Sequence, residues 1–210
     1  MNEQDRRNDG RDLRMRNVAI LIFDDAEVLD FCGPFEVFSV ANELNDYELY
    51  TVYTVAEQMR TIRAKNGLKV QPDYDFSSCP PPDILLIPGG SGTRQLMHHK
   101  RTLSWVESSA EGVELLLTVC TGSLVLAVVG LLDGLKATTH HEVIPLLRET
   151  APNTEVLPGK RFIDNGSVIV SAGISAGIDM CLYVLEKLHG EAVAEQTARY
   201  MEYSWGKKAG

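Results

Sequence analysis

No Cys-x-x-Cys pair and no grouping of cysteine with histidine occurs anywhere in the chain. The cysteines, Cys32, Cys79, Cys120 and Cys181, stand far apart, which excludes the usual zinc spacings, and no metal is expected. Four scattered thiols are also a poor disulfide framework for 210 residues, so a reducing cytoplasm is the simpler setting. Basic residues are scarce: 20 Lys and Arg against 29 Asp and Glu leave a formal net charge of −9. Nucleic-acid binding, which depends on basic patches that displace counterions, is thereby excluded as an expectation. No apolar run is long enough to span a bilayer, so no membrane partner is expected. The segment MNEQDRRNDGRDLRMR lacks the apolar centre of a secretory signal. Dense in both charge signs, residues 1–16 are expected to form a disordered tail. A flexible end at 206–210 leaves 17–205 as one domain, a size that suits a single core.

What is present is an alternation of strand and helix patterns. NVAILIF (17–23), ELYTVYTV (48–55), DILLIPGG (83–90) and ELLLTV (114–119) read as buried strands. Helical spacing follows the first of them, and Gly33-Pro34 predicts a helix start near Pro34. TRQLM and TLSWVESSAEG read as helices, as do TGSLVLAVVGLL (121–132) and EVIPLLRET, with Pro145 in an early turn. Asn66-Gly67 and Asn165-Gly166 each sit between short strand-like runs, the signature of a hairpin. Two helices, ISAGIDMCLYVLEKLHG and EAVAEQTARYMEYSW, close the chain. Such alternation predicts an α/β fold with a mostly parallel sheet and helices on both faces. Ligands in these folds bind beyond the carboxyl ends of the strands. Asp30, Gly89-Gly90, Cys120 and SAGISAG all fall there.

Cys120 interrupts an apolar run at a strand-to-helix corner. It reads either as a buried structural thiol or as a nucleophile on a tight turn, with helix N–H groups favouring thiolate and Gly122 allowing close backbone approach. Cys32, Cys79 and Cys181 are read as packing. Asp30, between Leu29 and Phe31, reads as a helix N-cap or as a buried carboxyl whose raised pKa makes it a proton donor. Asp24, Asp25 and Glu27 read as solvated loop acids. PGGSGT lacks the ending of a phosphate loop, and its glycines could instead offer N–H groups to charge developing near Cys120. His140 or His141 could be a base for the thiol or a metal ligand, although no third ligand is in sight.

In order along the chain, VLDFCGPFEVF, ILLIPGGSG, VCTGSLVLAVVGLLDGLKATTHH and GISAGIDMCLYVLE resemble the ThiJ/PfpI family of the class I glutamine amidotransferase-like superfamily. The resemblance implies a flavodoxin-like three-layer sandwich with a reactive cysteine at the elbow, here Cys120. It further implies Asp30 as the acidic partner, where many relatives have glutamate, and Thr121 as the adjacent functional residue. Gly89, Gly90 and His140 would meet the substrate, no cofactor would be needed, and a homodimer is expected. Similarity is greatest to the members that hydrate isocyanides. For this chain that implies a small isocyanide substrate, an N-substituted formamide product and a thioimidate on Cys120. Thr121 departs from relatives with Cys-His at the elbow, which weakens a peptidase or glutaminase triad. The same segments are similar to the sensor half of AraC-type regulators, where a DNA-binding domain follows. The acidic charge and the end at Gly210 count against a regulator, leaving a ligand- or redox-sensing module as an alternative. Glyoxalase or deglycase activity is a third.

Overall fold

The computed structural model describes residues 14–206. Most of the expected tail (residues 1–13) and the expected flexible end (from 207) lie outside the described residues. Arg16 belongs to the fold: it opens the first strand, is 3% exposed, and its Nε lies 2.8 Å from Glu114 Oε2.

In chain order the elements are β1 (Arg16–Leu21), α1 (Val28–Glu43), β2 (Tyr50–Ala56), β3 (Ile62–Arg63), β4 (Lys69–Val70), β5 (Tyr74–Asp75) and β6 (Ile84–Ile87). Then come α2 (Thr93–Leu96), α3 (Lys100–Ala110), β7 (Leu115–Thr118), α4 (Ser123–Val128), β8 (Lys136–Ala137) and α5 (Ile144–Thr150). The chain continues through β9 (Glu155–Val156), β10 (Phe162–Asp164), β11 (Val168–Ser171), α6 (Ala176–His189) and α7 (Glu191–Tyr200). The main sheet runs β10-β11-β7-β6-β1-β2-β5, parallel except for β10. This is the flavodoxin-like sandwich that the alternation and the resemblance implied. Val18 to Leu21 and Ile84 to Ile87 are at most 1% exposed, which is why these strands read as unbroken apolar runs rather than alternating ones. Burying each such side chain contributes about 1.5–3 kcal/mol. Helices α1, α6 and α7 pack on one another, and α2 to α5 form a second group.

Three boundaries differ from the sequence reading. Helix α1 begins at Val28, six residues before Pro34, which lies inside it. A proline removes a single N–H, here the one that would bond the Asp30 carbonyl. Burial of Phe31, Val37, Phe38 and Ala41 outweighs that loss. Its start is set instead by the Ala26–Gly90 bridge and by Glu27 N–H donating to Gly89 O (2.9 Å). Helix α4 stops at Val128 rather than Leu132, because Gly130 and Gly134 adopt left-handed turns (φ 74° and 76°). Helix α7 ends at Tyr200, and Met201, Tyr203 and Trp205 lie against the core without helical structure. Both Asn-Gly hairpins form, β3–β4 and β10–β11.

Candidate active site

Strand β7 runs out at Thr118, and two residues later Cys120 takes φ 56°, a left-handed conformation that a residue with a Cβ adopts only at a cost. Such strain is of the order of 1–3 kcal/mol and persists only where the surroundings fix it. Here they do. Cys120 N–H donates to Ala172 O (3.1 Å), and Cys120 O accepts from Thr139 Oγ1 (2.8 Å) and Ser123 Oγ (3.3 Å). A Cβ on Gly122 would lie 2.2 Å from Ile87 O, so only glycine lets the elbow press against β6. The sulfur receives backbone N–H groups from Thr121 and Ile174. Their pull does not make a thiolate. Burial first, and then the Asp30 charge, push the thiol up to about 12.

Asp30 is fully buried in the first turn of α1. Its Oδ2 accepts the Gly89 N–H (3.0 Å), while Oδ1 is buried with no hydrogen-bond partner. Burial raises the carboxyl to about 7 despite that bond, and Glu27 adds to the rise. The cap position of α1 belongs to Glu27, so the N-cap alternative for Asp30 falls. Asp30 and Cys120 are close enough for each to shift the other's proton affinity, so the pair separated by 90 positions does meet. Around neutral pH the pair keeps the thiol proton and a large share of the carboxyl proton, since separating charge in this site is expensive.

Thr121 was expected as the functional residue adjacent to Cys120. Its hydroxyl accepts from Gly90 N–H (2.9 Å) and lies 3.1 Å from both Gly90 O and Thr93 Oγ1. Gly89 and Gly90 were expected to offer free N–H groups to developing charge, but Gly89 serves Asp30 and Gly90 serves Thr121. The donors at the sulfur are Thr121 and Ile174, and Ile174 was missed although SAGISAG had been singled out. A Cβ on Gly89 would sit 2.5 Å from Thr121 N and 2.9 Å from Asp30 Oδ2, so only glycine fits between the two partners.

His140 lines the same cleft. Its Nδ1 accepts the Glu142 N–H (3.4 Å), its ring lies beside that of His141 (centroids 4.4 Å apart), and no hydrogen bond joins it to Cys120. A thiol base at His140 is therefore not what this arrangement offers. Among the described residues no three His, Cys, Asp or Glu side chains gather as a metal site. Cys181 is buried and Cys79 half-buried, but Cys32, read as packing, is exposed on α1. Glu27, read as a solvated acid, lines the cleft and is paired with Lys65 on the β3–β4 turn (2.9 Å). The cleft is ≈ 280 Å³ and is walled further by Ser91, Arg94, Glu142 and Val143. A second cavity of ≈ 170 Å³, at the ends of β1 and β2, is lined by none of Asp30, Cys120 or Thr121.

A strained elbow cysteine beside a buried, proton-retaining carboxyl, set at the carboxyl ends of a parallel sheet, defines a class of α/β cysteine protein. The chain belongs to the DJ-1/PfpI family, whose sequence pattern matches residues 16–187. It is 32% identical over 191 residues to isonitrile hydratase from Pseudomonas putida, covering 89% of this chain and 78% of that one. It is 27% identical over 188 residues to the HTH-type transcriptional regulator GbdR of Pseudomonas aeruginosa, covering 90% of this chain and 51% of the regulator. Among solved structures, a ThiJ/PfpI family protein from Pseudomonas syringae superposes with a TM-score of 0.82 at 26% identity, over 94% of this chain and 79% of that one. DJ-1beta from Drosophila melanogaster gives 0.78 at 19% identity, over 91% and 100%, a likeness of fold alone. No helix among the described residues is long and apolar enough to cross a membrane.

Proposed function

We propose that the protein hydrates an isocyanide, R–N≡C, to the formamide R–NH–CHO, with Cys120 as nucleophile and Asp30 as proton donor and acceptor. The observation that carries this is a buried carboxyl of raised proton affinity set beside a buried thiol. An isocyanide carbon is unusual in that hydrogen and nucleophile both add to the same atom. Two adjacent proton-bearing groups, rather than a preformed thiolate with a distant acid, match that demand.

Asp30 gives its proton to the isocyanide carbon. Sulfur bonds to that carbon, and the thiol proton passes to the Asp30 carboxylate, leaving Cys120–S–CH=N–R and a neutral carboxyl. Water then adds to the thioimidate carbon: Asp30 protonates nitrogen and takes a proton from the water. Collapse of the Cys120–S–CH(OH)–NH–R adduct breaks the C–S bond, and the hydroxyl proton returns through Asp30 to sulfur. Thr121 and Ile174 N–H groups steady the sulfur as charge rises on it. The Thr121 hydroxyl acts at one remove, fixing the Gly90 backbone whose neighbour Gly89 holds Asp30 in place.

The similarity to transcriptional regulators favours a second reading, a ligand-sensing module that binds without turnover. A thiol pushed up to about 12 weighs against an oxidation sensor, which works as an exposed thiolate. Turnover separates the two. Purified protein with cyclohexyl isocyanide should yield N-cyclohexylformamide, followed by NMR, and Cys120→Ala should yield none while keeping its circular dichroism and melting temperature. Saturable binding with no product from folded protein would support the sensor.

A further inference from the structure

The cleft at Cys120 carries a charge pattern that isocyanide hydration does not itself call for. At its inner end Cys120 and Thr121 are each 5% exposed and the reacting group is neutral, so nothing there requires a cation. Toward the mouth the walls are charged. Lys65 Nζ is matched by Glu27 Oε2 at 2.9 Å. Glu142, largely exposed on the segment after β8, also lines the cleft, its Oε2 3.9 Å from His140 Nδ1. Arg94 differs from both: among the described residues no carboxylate lies within ion-pair distance of it. It is exposed, and held by one tether. Its Nη1 donates to Thr93 Oγ1 (3.0 Å), a fully buried hydroxyl that lies 3.1 Å from Thr121 Oγ1. One nitrogen of the guanidinium is thus anchored to the polar network behind the elbow, and the planar fork keeps other donors for a bidentate partner.

We propose, resting on the isonitrile-hydratase reading of this site, that the physiological substrate is a small isocyanide bearing a carboxylate. Arg94 binds the carboxylate at the mouth while the isocyanide carbon reaches Cys120. Glu142, on a different element of the lining, disfavours an anion at its own position. The volume of ≈ 280 Å³ suits a compact molecule. Arg94 is then a specificity residue whose contact is the same in ground and transition states, so it acts on KM rather than kcat.

The test compares isocyanoacetate with its neutral methyl ester, which differ in charge but share the reacting group. Formamide formation by the wild type should favour the carboxylate in kcat/KM by about tenfold or more. In Arg94→Gln that ratio should fall to near one through a higher KM for isocyanoacetate, and Arg94→Lys should recover part of it. Using the ratio cancels any change in the amount of folded protein. A ratio near one in the wild type, or one unchanged in Arg94→Gln, overturns the inference and leaves hydration standing. No formamide from either compound overturns the inference, and no formamide from cyclohexyl isocyanide as well overturns hydration with it.

Discussion

At the scale of single residues, the proposed chemistry and part of the stability both turn on Asp30. Its carboxyl is raised to about 7 in the folded protein from 3.8, mainly by burial. Below both values the group is protonated whether folded or not. Between them the folded chain holds a proton that the unfolded chain has released, so stability falls as pH rises through that window and then levels off. The full shift corresponds to roughly 4 kcal/mol as an upper bound. Asp30→Asn should flatten this decline, measured by urea unfolding at a series of pH values; an unchanged slope would show that the carboxyl is not held protonated. Cys120 could be suspected from sequence because an elbow leaves a trace: a strand-like run, a thiol and a glycine two residues on. Asp30 left a weaker one, since a carboxylate between apolar residues also suits a cap. Lys65 and Arg94 left none. A cation on a short turn looks like any solvated charge until the fold brings it to a cleft.

At the scale of elements, the site depends on three strand ends being held at fixed spacing. The loops after β1 and β6 are zipped by the Ala26–Gly90 bridge, and β6 and β7 meet where Gly122 faces Ile87 O. Gly122→Ala places its Cβ against rigid backbone rather than a yielding side chain, and should destabilise by about 3 kcal/mol. It should also cost activity in whatever fraction remains folded, because Cys120 and Asp30 sit on opposite sides of that junction. A melting temperature equal to wild type would contradict the packing described. Strands and hairpins were legible because buried parallel strands are continuous apolar runs and Asn-Gly turns are chemically specific. Boundaries were less so. Pro34 suggested a helix start, yet the register of α1 is set by tertiary bonds from Glu27 and by Phe31, Val37 and Phe38 facing the core. Strands β5 and β9, two residues each, carry too little pattern to be seen.

At the scale of the whole molecule, the acidic chain encloses a buried carboxyl and a buried thiol that both resist ionisation. The alternation of elements gave the architecture, because βαβ connections have few ways to pack. The proton inventory of the site was not legible: sequence reasoning favoured a thiolate from the helix N–H groups, and burial reverses that preference. The central claim is therefore that an undissociated Asp30–Cys120 pair, not a preformed thiolate, does the chemistry. Its most direct test is the pH dependence of kcat/KM for formamide formation by the wild type, with Asp30→Asn alongside. Activity should fall as pH rises through about 7, as Asp30 loses its proton, and Asp30→Asn should lose about a hundredfold or more. Activity that instead climbs steadily through the same range, or an Asp30→Asn protein that turns over at the wild-type rate, would contradict it.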